Sequence, residues 1–140
     1  ENNFFDYVAC LGSLEHFVDL NAAVKEMIRV AKDDAKFLIM VPNKNYLFWK
    51  ISGNLGTSQR KVREVLLDFN QWNNFFTNHG LEIEKLSYDN WPRHSVKIFK
   101  SKNPWRIIRR LIYHLIWLFL PLFYTYQFIF ILKKSKTTPR

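Results

Sequence analysis

Phe4-Phe5-Asp6-Tyr7-Val8-Ala9-Cys10-Leu11 and Lys36-Phe37-Leu38-Ile39-Met40-Val41 are the stretches whose reading decides the fold. Each is a short, nearly continuous apolar run, the pattern of a strand covered on both faces of a parallel sheet. Between them, Leu20, Ala23, Val24, Met27, Ile28 and Ala31 recur at the spacing of one helical face. Asp19 is placed to cap that helix, and Asp33-Asp34 to close it in a turn. Gly12-Ser13-Leu14-Glu15-His16 forms the loop after the first run, and Pro42-Asn43 stops the second. Strand, helix and strand within about forty residues make a βαβ unit with a right-handed crossover.

Outward from this unit, residues 44–63 are polar and punctuated by Gly53 and Gly56, which predicts a long loop with room for one helical turn. Asp68 and Gln71 sit at capping-box spacing before a helix presenting Phe69, Trp72, Phe75 and Phe76, with Gly80 just past its end. Leu81 to Leu86 reads as a partly exposed strand. Asn103-Pro104 opens another helix, in which Trp105, Ile108, Leu111, Ile112, Leu115, Ile116 and Phe119 form one apolar stripe. Arg106, Arg109, Arg110 and Tyr113 lie off that stripe, and Pro121 ends the helix. Tyr124 to Leu132 is rich in β-branched and aromatic residues and reads as a strand. By length alone, Leu111 to Leu132 also qualifies as a membrane span. Pro121 in mid-span, the one-sided stripe and basic residues at both ends favour helix-then-strand, with an in-plane amphipathic anchor as the remaining option.

The 140 residues are 48% hydrophobic and 24% charged, which excludes a disordered chain and fits a single domain. Cys10 is the single cysteine, so a disulfide framework and a thiolate zinc site are excluded. The sequence starts at Glu1 with no basic n-region and is strand-like by Phe4, as expected of a piece of a longer protein without a visible signal peptide. The net charge of +9 is unevenly spread: all 12 acids fall in residues 1–89, while residues 90–140 hold 11 Lys and Arg and no acid. Such asymmetry points the carboxyl-terminal part at an anionic partner.

Phe5-Asp6-Tyr7-Val8, Leu14-Glu15-His16-Phe17, Glu26-Met27-Ile28-Arg29-Val30 and a strand ending Val41-Pro42-Asn43 together resemble the second half of class I S-adenosylmethionine-dependent methyltransferases, most closely the ubiquinone-biosynthesis type. Trp72 in a capped helix, His79-Gly80-Leu81 entering a strand and a final aromatic strand ending Lys133-Lys134 fit the same family. The resemblance implies an α/β chain, the carboxyl-terminal half of a Rossmann-like sheet with two parallel strands and an antiparallel final hairpin. Residues 1–140 then form the latter part of a methyltransferase domain, and residues 93–120 a basic amphipathic helical insertion before the last strand. The first three strands, with the glycine-rich loop and the acid that holds the cofactor's ribose, are missing. The fragment is expected neither to bind S-adenosylmethionine nor to act alone.

Ligands in open α/β sheets bind beyond the carboxyl ends of the parallel strands. The resemblance lays Leu11, Gly12 and Ser13 along the cofactor's amino-acid moiety. Gly12 suits a close approach, and equally an ordinary turn. Glu15, Asn43, Tyr46 and Trp91 are the candidate substrate pocket. In some relatives a Glu-x-x-Glu-His motif binds a divalent metal, but Gly12 replaces the first acid here, and one carboxylate with one imidazole is a poor site for a hard cation. No metal is expected. His16 is the candidate catalytic base, against the plainer reading that Glu15 and His16 bond neighbouring backbone and shape the loop. Cys10, in a strand, reads as a small hydrophobe.

The implied reaction is methyl transfer to a small-molecule or lipid-linked acceptor by in-line displacement, in the cytoplasm or at the inner face of the membrane. The alternative is a non-catalytic module that uses the basic, aromatic tail on an anionic membrane surface through Arg106, Arg109 and Arg110. Nucleic acid suits the tail less well, because the apolar stripe needs a hydrophobic partner.

Overall fold

The computed structural model describes residues 1–53, 64–89, 103–119 and 121–136. Four strands form one sheet: β1 (Phe5–Leu11), β2 (Ala31–Pro42), β3 (Leu81–Asp89) and β4 (Gln127–Lys134), in the order β1-β2-β4-β3. β1 and β2 are parallel, and β4 runs antiparallel to both β2 and β3. The expected parallel pair and closing hairpin are therefore present, and β4 occupies the inner place that a membrane span would have left vacant. No described helix is long and apolar enough to cross a membrane.

Register explains which residues are buried. Val8 and Cys10 of β1 pair with Phe37 and Ile39, these with Leu132 and Phe130 of β4, and these in turn with Ile83 and Leu86 of β3. Strand side chains alternate in direction, so all of these share one face. Helices α1 (Leu20–Val30) and α3 (Phe69–Asn78) bury that face: Val24, Trp72 and Phe76 join Phe37, Ile39, Val41, Phe128, Phe130 and Leu132 in one core. Both helices start as their sequences predict. The Asp19 side chain accepts from the Ala22 amide at 3.0 Å. At α3 the capping box is complete, with Gln71 N–H donating to Asp68 and Asp68 N–H donating to Gln71. Gly80 follows α3 at φ +75°, a left-handed turn that glycine adopts without a Cβ clash.

The opposite face has no helix over it among the described residues. Tyr7 is 79% exposed there, and Leu11 and Leu38 are also exposed. Lys36 and Lys133 stand directly opposite each other on β2 and β4. Their repulsion is offset by Glu84, 2.6 Å from Lys36, and Glu82, 3.0 Å from Lys133.

Several expected details change. The apolar run of β1 predicts cover on both faces, yet β1 is a sheet edge with helices on one side, and Cys10 is its one buried residue. Asp33-Asp34 does not form a separate turn. α1 passes directly into β2, and the two acids lie in an irregularity where Phe5 pairs with Ala31 but Tyr7 with Lys36. The last strand begins at Gln127 rather than Tyr124, because Leu122–Tyr124 forms a 3-10 turn closed by the Thr125 hydroxyl, which donates to Leu122 O at 2.7 Å. Residues 44–63 include a real helix, α2 (Leu47–Ser52). Of the 93–120 segment, α4 (Pro104–Phe119) is described; it makes no extensive packing with any other described element.

Candidate functional site

Parallel pairing sends the chain off the sheet twice at the same end. Leu11 pairs with Met40, so the turn after β1 and the turn after β2 emerge side by side. Gly12 makes the first turn possible. Its φ is +61°, the left-handed region that costs a residue with a Cβ roughly 1–2 kcal/mol. Its N–H donates to Met40 O at 3.0 Å, which locks the turn to β2. A Cβ at Gly12 would meet only ordinary contacts, Met40 Cε at 3.8 Å and Glu15 Oε1 at 4.0 Å, so conformation rather than space demands glycine. Ser13 follows, its hydroxyl 3.4 Å from the Cys10 sulfur.

A 3-10 turn, Leu14–His16, then drives Leu14 and Glu15 inward. Glu15 is 3% exposed, and its Oε2 has no hydrogen-bond partner among the described residues. Burial raises its carboxyl pKa above the ordinary value, and nearby Glu64 adds to the rise, while its own backbone and His16 act against it. His16 Nε2 lies 3.9 Å from Glu15 Oε1, with the ring partly exposed at the rim. A strap at 64–67 lies alongside: Val65 N–H donates to Glu15 O at 2.9 Å, and Leu67 forms a parallel bridge to Asn43. The strap's part in the site is not apparent in the sequence. The short apolar run Val65-Leu66-Leu67 just before the Asp68 cap is the signal that marks it.

The second turn is held by Asn43, which is fully buried. Its amide donates to Phe123 O and Thr125 O, both at 2.8 Å, and its Oδ1 accepts from Asn45 N–H at 2.9 Å. Asn43 thus stands at the expected place, with its side chain bonded to the segment entering β4. Trp72 adds a tie, its indole N–H donating to Pro42 O at 3.3 Å. Tyr46 is buried against Tyr126 and Trp49, with ring centroids 5.2 and 5.5 Å away. Burial, with a smaller contribution from Tyr126, pushes its phenol up to about 12. A small cleft of about 200 Å³ opens at this end, between Asn45, Lys50, Asp68, Asn70, Phe123 and Tyr124. Trp91 lies outside the described residues. Of the expected site residues, Leu11, Gly12, Ser13, Glu15 and His16 form one loop, and Asn43 and Tyr46 belong to its neighbour. No cluster of three metal-ligating side chains occurs among the described residues.

Neutralising Glu15 isolates the cost of burying its charge. Because its folded pKa is raised, folding takes up a proton there, and stability is lost as pH rises through the carboxylate range. The Glu15→Gln variant should therefore melt above the parent at pH 7, by a margin of order 1 kcal/mol, and the margin should vanish at pH 4. A margin that is independent of pH in thermal melts would contradict this.

Residues 1–39 match the family described as methyltransferase domain. Among solved structures, the chain is similar to a chain from the Haloferax volcanii complex of the Trm112 methyltransferase activator, with TM-score 0.59 and 12% identity over 96% of this chain and 56% of that one. It is similar to a SAM-dependent methyltransferase from Archaeoglobus fulgidus, with TM-score 0.56 and 16% identity over 95% of this chain and 61% of that one. It is also similar to the [4+2]-cyclase SpnF, with TM-score 0.55 and 16% identity over 96% and 51%. The chain thus spans little more than half the length of these structures, and the cyclase shows that one fold hosts more than one reaction. No curated protein matches, and none of these likenesses singles out the ubiquinone-biosynthesis type. The parallel pair, the closing hairpin, the aligned turns and the matched first 39 residues lead to one conclusion: this chain has the fold of the class I S-adenosylmethionine-dependent methyltransferases.

Proposed function

We propose that the protein is an S-adenosylmethionine-dependent methyltransferase in which residues 1–140 supply the carboxyl-terminal half of the catalytic domain. The observation that carries this reading is the left-handed Gly12 turn, tied by its N–H to Met40 and set beside the Asn43 turn at the carboxyl ends of two parallel strands. Among the described residues, β1 has a bare edge and one face of the sheet has no helix over it, which would give the remaining strands and helices of such a domain a place to dock. The glycine-rich loop and the ribose-binding acid belong to that other half.

The residues present fit the donor. Gly12 leaves backbone uncovered by a Cβ at the end of β1, and the buried Glu15 carboxyl, whose Oε2 has no hydrogen-bond partner among the described residues, lies beneath the loop. Leu11, Gly12 and Ser13 would line the donor's amino-acid moiety, and Glu15 would support them from beneath. The donor supplies an electrophilic sulfonium methyl, displaced in line by the acceptor. This chain's task is to align that acceptor and exclude water, which in favourable cases lowers a barrier by roughly 7–11 kcal/mol. Asn43, bonded to Phe123 O, would fix the loop that faces the donor, Tyr46 would wall it with a protonated phenol, and His16, partly exposed beside Glu15, would take a proton from a hydroxyl acceptor. The acceptor is a small or lipid-linked molecule.

Titration calorimetry of the full-length protein with S-adenosylmethionine or its demethylated product tests the reading. Binding is expected, and Gly12→Val should weaken it at least tenfold, because a β-branched residue resists the left-handed turn. Absence of both heat and thermal shift with either ligand would overturn the assignment.

A further inference from the structure

We infer that α4 is an in-plane anchor for anionic lipid bilayers, a role that does not depend on the methyl-transfer reading. The helix carries an apolar stripe that nothing in the described fold covers. Trp105 and Phe119, at its two ends, are 78% and 77% exposed, and Ile108, Leu111, Ile112, Leu115 and Ile116 between them are exposed as well. At 100° per residue these seven occupy about 140° of the helix circumference. A stripe of this extent in water marks an interaction surface.

Charge selects the occupant. Arg106, Arg109 and Arg110 lie in the first two turns of α4 off the stripe, and residues 90–140 contain no acid to neutralise them. An apolar face bordered by basic residues matches a bilayer surface, where acyl chains take the stripe and anionic headgroups take the guanidinium groups. Trp105 beside Arg106 suits the headgroup boundary, where amphipathic rings and snorkelling cations settle. Insertion across the bilayer is a poor alternative. Sixteen residues span about 24 Å, short of a hydrocarbon core of about 30 Å. Beyond Pro121, Phe123 is also exposed, at 53%, in the segment that enters β4 at the Pro42 end of the sheet. That end also carries the Gly12 and Asn43 turns. The anchor would therefore hold the site near the membrane, where a lipid-linked molecule is presented.

Flotation of the full-length protein with vesicles separates the possibilities. Binding is expected to phosphatidylcholine vesicles containing about a third phosphatidylglycerol, with loss in 0.5 M salt and none to phosphatidylcholine alone (concentrations roughly chosen against screening). Replacing Arg106, Arg109 and Arg110 together by Ser should lower the partition coefficient about a hundredfold. Ile112→Glu should abolish binding even at low salt. Because α4 makes no extensive packing with any other described element, both variants should keep the parent's melting temperature, which separates lost binding from lost folding. Any of four outcomes would overturn the inference. The protein fails to float with the anionic vesicles, or it resists alkaline carbonate as a spanning segment does. Alternatively, Ile112→Glu leaves flotation intact, or instead dissolves a dimer that never bound vesicles, which would make the occupant a second copy of the chain.

Discussion

Replacing Asn43 with Asp, a change of one amide for one carboxyl, should destabilise the protein by about 3 kcal/mol or more at pH 7. The native amide points two N–H bonds at the carbonyls of Phe123 and Thr125 in a site closed to solvent. A carboxylate there would face two acceptor oxygens with acceptors of its own and leave them without donors. It would also be a buried charge with no cation among the groups that bond Asn43. Burial and the facing carbonyls raise the pKa of such a carboxyl, so the variant's deficit should shrink on acidification, as protonation restores one donor, and grow as pH rises through that raised value. Denaturant titrations of parent and variant at pH 4.5 and pH 8 check both the sign and the slope. The effect should reach function too. Asn43 joins the end of β2 to the segment entering β4, so loosening it frees the wall of the crevice, and donor affinity should fall even where the fold survives. A variant as stable as the parent at pH 8 would mean that the bonds of Asn43 are dispensable.

Much of this architecture is legible in the residues because local signals agree with one another. Asp19 and the Asp68/Gln71 pair mark helix starts that the structure reproduces bond for bond, since a side-chain oxygen three residues from a free amide has a single convenient geometry. Pro121 followed by β-branched and aromatic residues separates helix from strand correctly, against a hydropathy pattern that would merge them. The misread parts depend on information that no local window holds. β1 has the composition of an interior strand but is an edge of this sheet, because composition reports what the strand is suited to, and not which neighbours this stretch of chain supplies. Tyr124 has strand propensity, yet Thr125 closes a turn around it. At the site, Gly12 and its neighbours are recognisable by their place after a strand. The burial of Glu15 and the strap at 64–67 are not, since the strap meets the Glu15 loop across fifty residues of sequence. Asn43 is the instructive case: its position at a strand end is legible, whereas its bonds to residues eighty positions away are a tertiary fact.

The largest loss of stability should come from Phe130→Ala. Phe130 is fully buried on β4, the strand bonded on both sides, and its ring meets three others: Phe76 at 5.2 Å edge-on, Phe128 at 5.7 Å and Phe69 stacked at 6.2 Å. Truncation removes the ring's burial and leaves a cavity between α3 and the sheet, for a cost of about 3–5 kcal/mol. That is a large share of the 5–15 kcal/mol typical of a whole domain. Phe130→Leu keeps most of the apolar volume and should lose less than half as much. The contrast between the two variants in a denaturant titration separates packing from backbone effects, because both leave β4's ladder to β2 and β3 intact. Equal losses would mean that the fit of the ring among Phe69, Phe76 and Phe128, and not generic apolar burial, carries the stability. An Ala variant within 1 kcal/mol of the parent (about a fivefold shift in the folding constant) would mean that α3 does not pack on β4 as described. Such a result would also weaken the site, because Trp72 of the same helix holds the end of β2 through Pro42.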